Sequence, residues 1–201
     1  MTYPKDDLPC VILQPESSNW DWESWGLMFQ RECESRHVQN MQPLAFSMVG
    51  VGDKAPDFTL KNTVKEEVTI SDYRGKTVIL AFYPGAFTGV CDKEMCSFQE
   101  KLSNLNDCNA TVFGISVDSP WANAEFARRY NLEFELLSDL DRDVVESYDA
   151  KFVGLGGLDG YVSANRVIII IDSEGTVQYR WVAENPGVEP DYEEVVSFCS
   201  A

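Results

Sequence analysis

The chain has 201 residues, 44% of them hydrophobic and 24% charged, which suits one domain with a substantial core and excludes wholesale disorder. Its formal net charge of -17, with 33 acidic against 16 basic residues, excludes attraction to nucleic-acid phosphates or anionic lipid as the basis of function. No apolar run approaches the roughly 20 residues that span a bilayer, and the first residues lack the apolar core of a secretory signal, so a cytosolic protein with no membrane partner is expected.

So large an acid excess repels itself, and concentrated salt screens that repulsion, so adaptation to a salt-rich, halophilic interior is expected. Cysteines stand at 10, 33, 91, 96, 108 and 199. In a cytosolic chain of this size they read as catalytic or buried free thiols before they read as bridges.

Residues 1 to 47 hold Trp20, Trp22, Trp25 and the sole histidine, His37, without a helical or strand period, and are read as a leader. The pattern changes at Met48, a candidate true start, so the domain is placed at 48 to 201. FTLKN and EEVTI form a hairpin-like pair. TVILAFY at 77 to 83 is a buried strand that Pro84 ends. From Gly89 the chain turns helical, with Met95, Phe98, Leu102 and Leu105 on one face. ATVFGISVD is the next strand, and Ser119 with Pro120 starts a helix that runs to about Tyr130. FELLSD reads as a short strand and DRDVVESYDA as a short helix. NRVIIIID and TVQYRWVA are two strands joined at Ser173, Glu174 and Gly175, and PDYEEVVSF closes as a helix. Alternating strands and helices ending in a hairpin predict an α/β fold with a mixed central sheet.

Cys91 is placed where a buried strand has ended and a helix begins. The amides of a first helical turn carry a partial positive charge of about half a unit and lack partners, which favours thiolate there. A thiol of ordinary pKa about 8.5 is then expected to fall by a unit or more. Thr88 can turn its hydroxyl toward that sulfur, and Pro84 fixes the direction of the chain and shields the pocket. Residues 48 to 201 hold no histidine, so a Cys-His hydrolase has no base unless His37 folds back. The arrangement suits a substrate that needs only thiolate attack and a stabilised leaving oxygen.

The string Pro84-x-x-x-Thr88-x-x-Cys91 resembles the signature of the peroxiredoxins, the alkyl hydroperoxide reductase and thiol-specific antioxidant family. GDKAPDFTL, FGISVDSP and LLSDLDRDVVESYDA resemble further family segments, so the likeness covers roughly residues 49 to 198. It implies a thioredoxin-like mixed sheet with helices on both faces and extra N-terminal strands. By the same resemblance Cys91 is the peroxidatic cysteine, Thr88 the hydroxyl that bonds peroxide, Pro84 the pocket proline, Arg166 the active-site arginine and Glu94 the carboxylate that orients it. The implied reaction is reduction of hydrogen peroxide or an organic hydroperoxide through a cysteine sulfenic acid, with no metal, haem or flavin.

Cys96 is the candidate resolving thiol, as in members of the bacterioferritin comigratory type. Residues five apart in a helix point about 140° away from each other, with α-carbons about 8 to 9 Å apart, beyond the disulfide limit of about 7 Å. Either the first turn unwinds and a thioredoxin-like donor reduces the bridge, or Cys96 packs inward and an external small thiol recycles Cys91 directly. Cys108 and Cys199 read as packed thiols. The resemblance also suggests a homodimer. Three rivals stand beside this reading. A disulfide oxidoreductase normally needs Cys-x-x-Cys, and a zinc module needs a second close ligand pair. A non-enzymatic binding domain would follow if Arg166 lay far from Cys91.

Overall fold

The computed structural model describes residues 49–199. The leader, Met48, Cys10, Cys33 and His37 lie outside them.

The elements run β1 (Thr59–Asn62), β2 (Glu67–Thr69), β3 (Thr77–Phe82), α1 (Val90–Asp107), β4 (Ala110–Ser116), α2 (Pro120–Tyr130), β5 (Glu135–Ser138), α3 (Asp143–Ser147), β6 (Lys151–Val153), β7 (Val162–Ala164), β8 (Val167–Ile171), β9 (Val177–Val182) and α4 (Tyr192–Cys199). Seven strands form one sheet in the order β2-β1-β5-β4-β3-β8-β9, and β6 pairs with β7 separately. The β3–β4 and β4–β5 pairs are parallel, whereas β1 on β5, β8 on β3 and β9 on β8 are antiparallel.

The unbroken apolar run of β3 is explained by burial on both faces. Val78, Leu80 and Phe82 enter one cluster with Val144, Val145 and Tyr148 around α3. Ile79, Ala81 and Tyr83 enter the other, with Met95, Phe98, Leu102 and Leu105 of α1, Phe126 of α2 and Val195 of α4. Helices therefore cover both faces, as a thioredoxin-like mixed sheet requires. Each fully buried large side chain contributes roughly 1.5–3 kcal/mol relative to exposure. Close packing of α1 on the sheet depends on Gly114 of β4, where an added Cβ would stand 2.5 Å from a Leu136 methyl and 3.3 Å from the Met95 sulfur.

Helix α2 starts as expected, with the Ser119 hydroxyl accepting the Ala122 N–H at 3.3 Å and Pro120 in the first turn. It stops at Asn131, which adopts the left-handed conformation at φ 52°. The β6–β7 pair and the short 3-10 turns at Ile70–Tyr73 and Leu155–Gly157 are not anticipated by periodicity. Strands of three residues are too short to display a period of two. Helix α3 is also shorter than DRDVVESYDA suggests. Among the described residues, no helix is long and apolar enough to cross a membrane.

Candidate active site

Strand β3 delivers the chain to the C-terminal edge of the sheet, where buried Pro84 and Gly85 open a loop that ends at Gly89. Gly89 caps α1 at φ 75° and ψ -62°, a conformation that costs a residue with a Cβ and costs glycine little. The loop is fastened from the next strand. The Ala86 N–H donates to Asp118 Oδ2 at 2.7 Å, and the Ser116 hydroxyl donates to the same oxygen at 3.3 Å. Phe87, at φ 62°, packs edge-on against Phe126 with centroids 5.2 Å apart. Strain in the loop is thus held by contacts on both of its flanks.

Cys91 is the second residue of α1 and is 1% exposed. Three donors converge on its sulfur. The Thr88 hydroxyl lies at 2.8 Å and is also 2.9 Å from the Gly85 carbonyl, so its single proton serves one acceptor or the other. Arg166 Nη2, from the residue just before β8, donates at 3.5 Å, and a backbone hydrogen bond at Gly85 favours the ionised sulfur. Arg166 is fully buried. Its Nη1 pairs with Glu94 of α1, also fully buried, while Nη2 donates to the Pro186 carbonyl at 2.9 Å. Thr88, Cys91, Glu94 and Arg166 are thus joined by direct contacts, and Pro84 is buried in the loop that leads to them.

The electrostatics depart from the expectation of a thiol lowered by its helix terminus. Burial pushes the Cys91 thiol up from its ordinary value, against the Thr88 hydrogen bond, the Arg166 charge and the Gly85 backbone, while Glu94 pushes it further up. Burial also pushes the Glu94 carboxyl up to about 8, against the pull of Arg166. One cation serves two buried acids, and desolvation, which a sequence does not display, outweighs the donors around the sulfur. The donors around the sulfur are what bring its ionised form within reach.

The model of the AhpC/TSA family matches residues 51–180, which contain Pro84, Thr88, Cys91, Glu94, Cys96 and Arg166. The chain belongs to that family. Peroxiredoxin Bcp of Bacillus subtilis is 33% identical over 133 residues, covering 66% of this chain and 85% of the relative. Among solved structures, the Xylella fastidiosa PrxQ variant matches with a TM-score of 0.68 at 25% identity, covering 76% of this chain and 96% of that one. The Mycobacterium tuberculosis peroxidoxin BcpB matches with a TM-score of 0.65 at 26% identity, covering 74% and 95%. The chain is accordingly a peroxiredoxin of thioredoxin-like fold and a thiol-dependent peroxidase.

In this peroxiredoxin Cys96 is half-buried on the same continuous helix as Cys91, and the two are not bridged. Burial raises the Cys96 thiol, and the charges of Asp92 and Glu100 raise it further. Cys199 packs at the α4 end of the helical cluster, its thiol pushed up to about 11 by burial and by neighbouring Cys108. Two supports of the site were missed by the sequence reading. Asp118 sits in SVDSP, read there only as a strand end and helix start, and its position directly after the strand parallel to β3 is the signal that could have found it. The Pro186 carbonyl carries no side-chain signal at all. A cavity of about 370 Å³ lined by Leu60, Lys61, Asp139 and Val144 contains none of these site residues.

Proposed function

We propose that Cys91 is the sulfur through which this peroxidase reduces hydroperoxides, and that the Arg166 guanidinium held 3.5 Å from it is the observation that carries the assignment. The thiolate attacks the nearer peroxide oxygen and the O–O bond breaks. The sulfur takes that oxygen as a sulfenate, and the remaining oxygen leaves as alkoxide or hydroxide and gains a proton. Thr88 and Arg166 donate to the oxygens as charge develops, so electrostatic placement replaces a general base. Pro84 walls the pocket, and Glu94 holds Arg166 in the plane that faces the sulfur. The chemistry calls for no metal, haem or flavin.

Recycling runs through Cys96. Its thiol condenses with the sulfenic acid, water leaves, and the disulfide is reduced by a thioredoxin-like protein. Because both cysteines lie in one regular helix, the first turn of α1 unwinds for that step. The same helical placement favours a second reading, in which a small external thiol reduces the sulfenic acid directly. A salt-rich cytosolic setting fits the acid excess, and a homodimer fits the family.

Hydroperoxide consumption by wild type, Cys91→Ser and Cys96→Ser, each with a thioredoxin and with a small thiol, tests the proposal. Cys91→Ser is expected to lose activity with both reductants, and Cys96→Ser only with thioredoxin. Activity retained by Cys91→Ser refutes the assignment. Full turnover by Cys96→Ser with thioredoxin leaves the second reading.

A further inference from the structure

Glu94 and Cys91 account for two of the groups around the Arg166 guanidinium. The third, the Pro186 carbonyl, belongs to a turn beyond β9 and beyond the residues 51–180 that the family model matches. We infer that Asn185 is a positioning residue for the peroxidase, folding the turn that aims the Pro186 carbonyl at Arg166 and so fixing which guanidinium hydrogen meets the Cys91 sulfur.

The reasoning starts from the shape of the group. A guanidinium is a flat, rigid fork, and the two hydrogens on each terminal nitrogen lie in its plane. Nη1 is committed to Glu94. Nη2 stands 2.9 Å from the Pro186 carbonyl and 3.5 Å from Cys91 Sγ. Once the carbonyl takes one Nη2 hydrogen, the other has a single direction left, toward the sulfur. Without that anchor the fork pivots about its Glu94 contact, and the charge-assisted bond to the thiolate loses its aim.

A carbonyl is aimed only by its own backbone, and here the backbone is fixed at several points. The Asn185 side-chain oxygen accepts the Gly187 N–H at 3.0 Å, and the Asn185 carbonyl accepts the Val188 N–H at 3.0 Å. This is a tight asparagine turn. Proline at 186 restricts φ within it. The turn is joined to the backbone of the arginine it serves: the Ala183 N–H donates to the Arg166 carbonyl at 2.9 Å, and Asn165 Nδ2 donates to the Ala183 carbonyl at 3.0 Å. At its far end, the Tyr192 hydroxyl donates to Glu189 at 3.0 Å and the Tyr192 ring packs edge-on against Phe98 of α1. Asn185 is itself exposed, so truncating it opens no cavity in the core.

The inference rests on Cys91 being the reacting sulfur, and its test reads that sulfur in two ways. The groups that act on Cys91 are the Thr88 hydroxyl, the Gly85 backbone, Arg166 ahead of β8 and Glu94 on α1, with Glu189 acting on Glu94 and Tyr83 after β3 feeling the charge of Cys91. All of them are retained in Asn185→Ala, in Asn185→Ser, whose hydroxyl closes the same turn more weakly, and in Gly187→Ala. An added Cβ at Gly187 would stand 3.1 Å from the Asn185 oxygen and crowd the acceptor from the other side. The rate of iodoacetamide alkylation at Cys91 is followed against pH by peptide mass, beside hydrogen peroxide consumption and thermal midpoint.

Asn185→Ala is expected to raise the alkylation midpoint by about half to one pH unit and to slow peroxide reduction about 3–10-fold, the scale of one weakened bond to a charged group. Asn185→Ser is expected to recover most of the loss, with thermal midpoints close to wild type. An unchanged alkylation midpoint in Asn185→Ala overturns the inference, and so does equal impairment of the alanine and serine variants. If Asn185→Ala does not fold, Gly187→Ala is read in its place, and an unchanged alkylation midpoint there overturns the inference. A wild type that fails to consume hydroperoxide refutes the proposed function, while the alkylation profile still decides the role of Asn185.

Discussion

Replacing Thr88 with valine keeps the shape of the side chain and removes the hydroxyl 2.8 Å from the Cys91 sulfur. In the resting protein the hydroxyl proton is shared between the sulfur and the Gly85 carbonyl at 2.9 Å, so its full worth appears only when the sulfur is charged. A hydrogen bond to a charged partner contributes about 1.5–3 kcal/mol. Thr88 is solvent-exposed, and screening lowers the figure to about 1–2 kcal/mol. That free energy corresponds to a rise of about 0.7–1.5 units in the Cys91 pKa and a loss of about 5–30-fold in the rate of peroxide reduction at a pH below that pKa. The assay is the second-order rate of hydrogen peroxide consumption across pH 6 to 10, paired with alkylation at Cys91. The plateau at high pH separates the two roles of the hydroxyl: lost thiolate stabilisation is recovered there, whereas a lost contact to the peroxide oxygens is not. Thr88→Ser is expected to stay near wild type. A valine variant that matches wild type at every pH, or a serine variant as impaired as valine, would refute the reasoning.

The Glu94 carboxyl opposes ionisation of Cys91, so Glu94→Gln is expected to lower the alkylation midpoint of that thiol. Burial raises the same carboxyl from 4.5 to about 8, so its contribution to stability is present below the lower value and is lost as pH rises through the upper one. Chemical denaturation of wild type should therefore weaken across that window more than that of Glu94→Gln, and parallel curves contradict it. Asp118→Ala frees the Ala86 amide and is expected to slow peroxide reduction several-fold, with Asp118→Asn partly retaining it, as steady-state kinetics would show. Phe98→Ala is expected to cost about 3–5 kcal/mol in urea unfolding, because the ring is buried between α1 and α4. Thermal midpoints should rise from dilute to molar salt if the acid excess is an adaptation, and equal midpoints argue against it.

Much of the site was legible because its carriers are side chains in short, fixed spacings. Pro84, Thr88 and Cys91 span eight residues of one loop and helix start, and the apolar face of Met95, Phe98, Leu102 and Leu105 locates the helix that holds the cysteine. Arg166 was legible only through the family pattern, since 75 residues separate it from the sulfur it touches. The sign of the thiol's shift was not legible, because a helix terminus is a local feature whereas desolvation depends on everything folded over it. The β6–β7 pair escaped because three residues display no period, and the Pro186 carbonyl because a backbone oxygen has no letter of its own.

If Cys96 resolves Cys91, burial and recycling pull on the first turn of α1 in opposite directions. While the turn is helical, Cys91 and Glu94 are both closed from water and share one guanidinium. Helical geometry holds Cys96 on another side of the same cylinder, so a bridge to Cys91 would need the first turn to come apart. The turn is made for that at its start: Gly89 caps it without a side-chain hydrogen bond, and glycine gains more conformational freedom on release than any other residue. Asp92 resists, since it accepts the Tyr130 hydroxyl at 2.8 Å and ties the turn to α2. Tyr130→Phe removes that tie without touching Cys91, Thr88 or Arg166. If Cys96 resolves, the variant should form the Cys91–Cys96 bridge faster after one equivalent of peroxide, read by quenched-flow mass analysis, with the peroxide step itself unchanged. A bridge that forms at the wild-type rate would mean that the tie to α2 does not limit the opening of the turn.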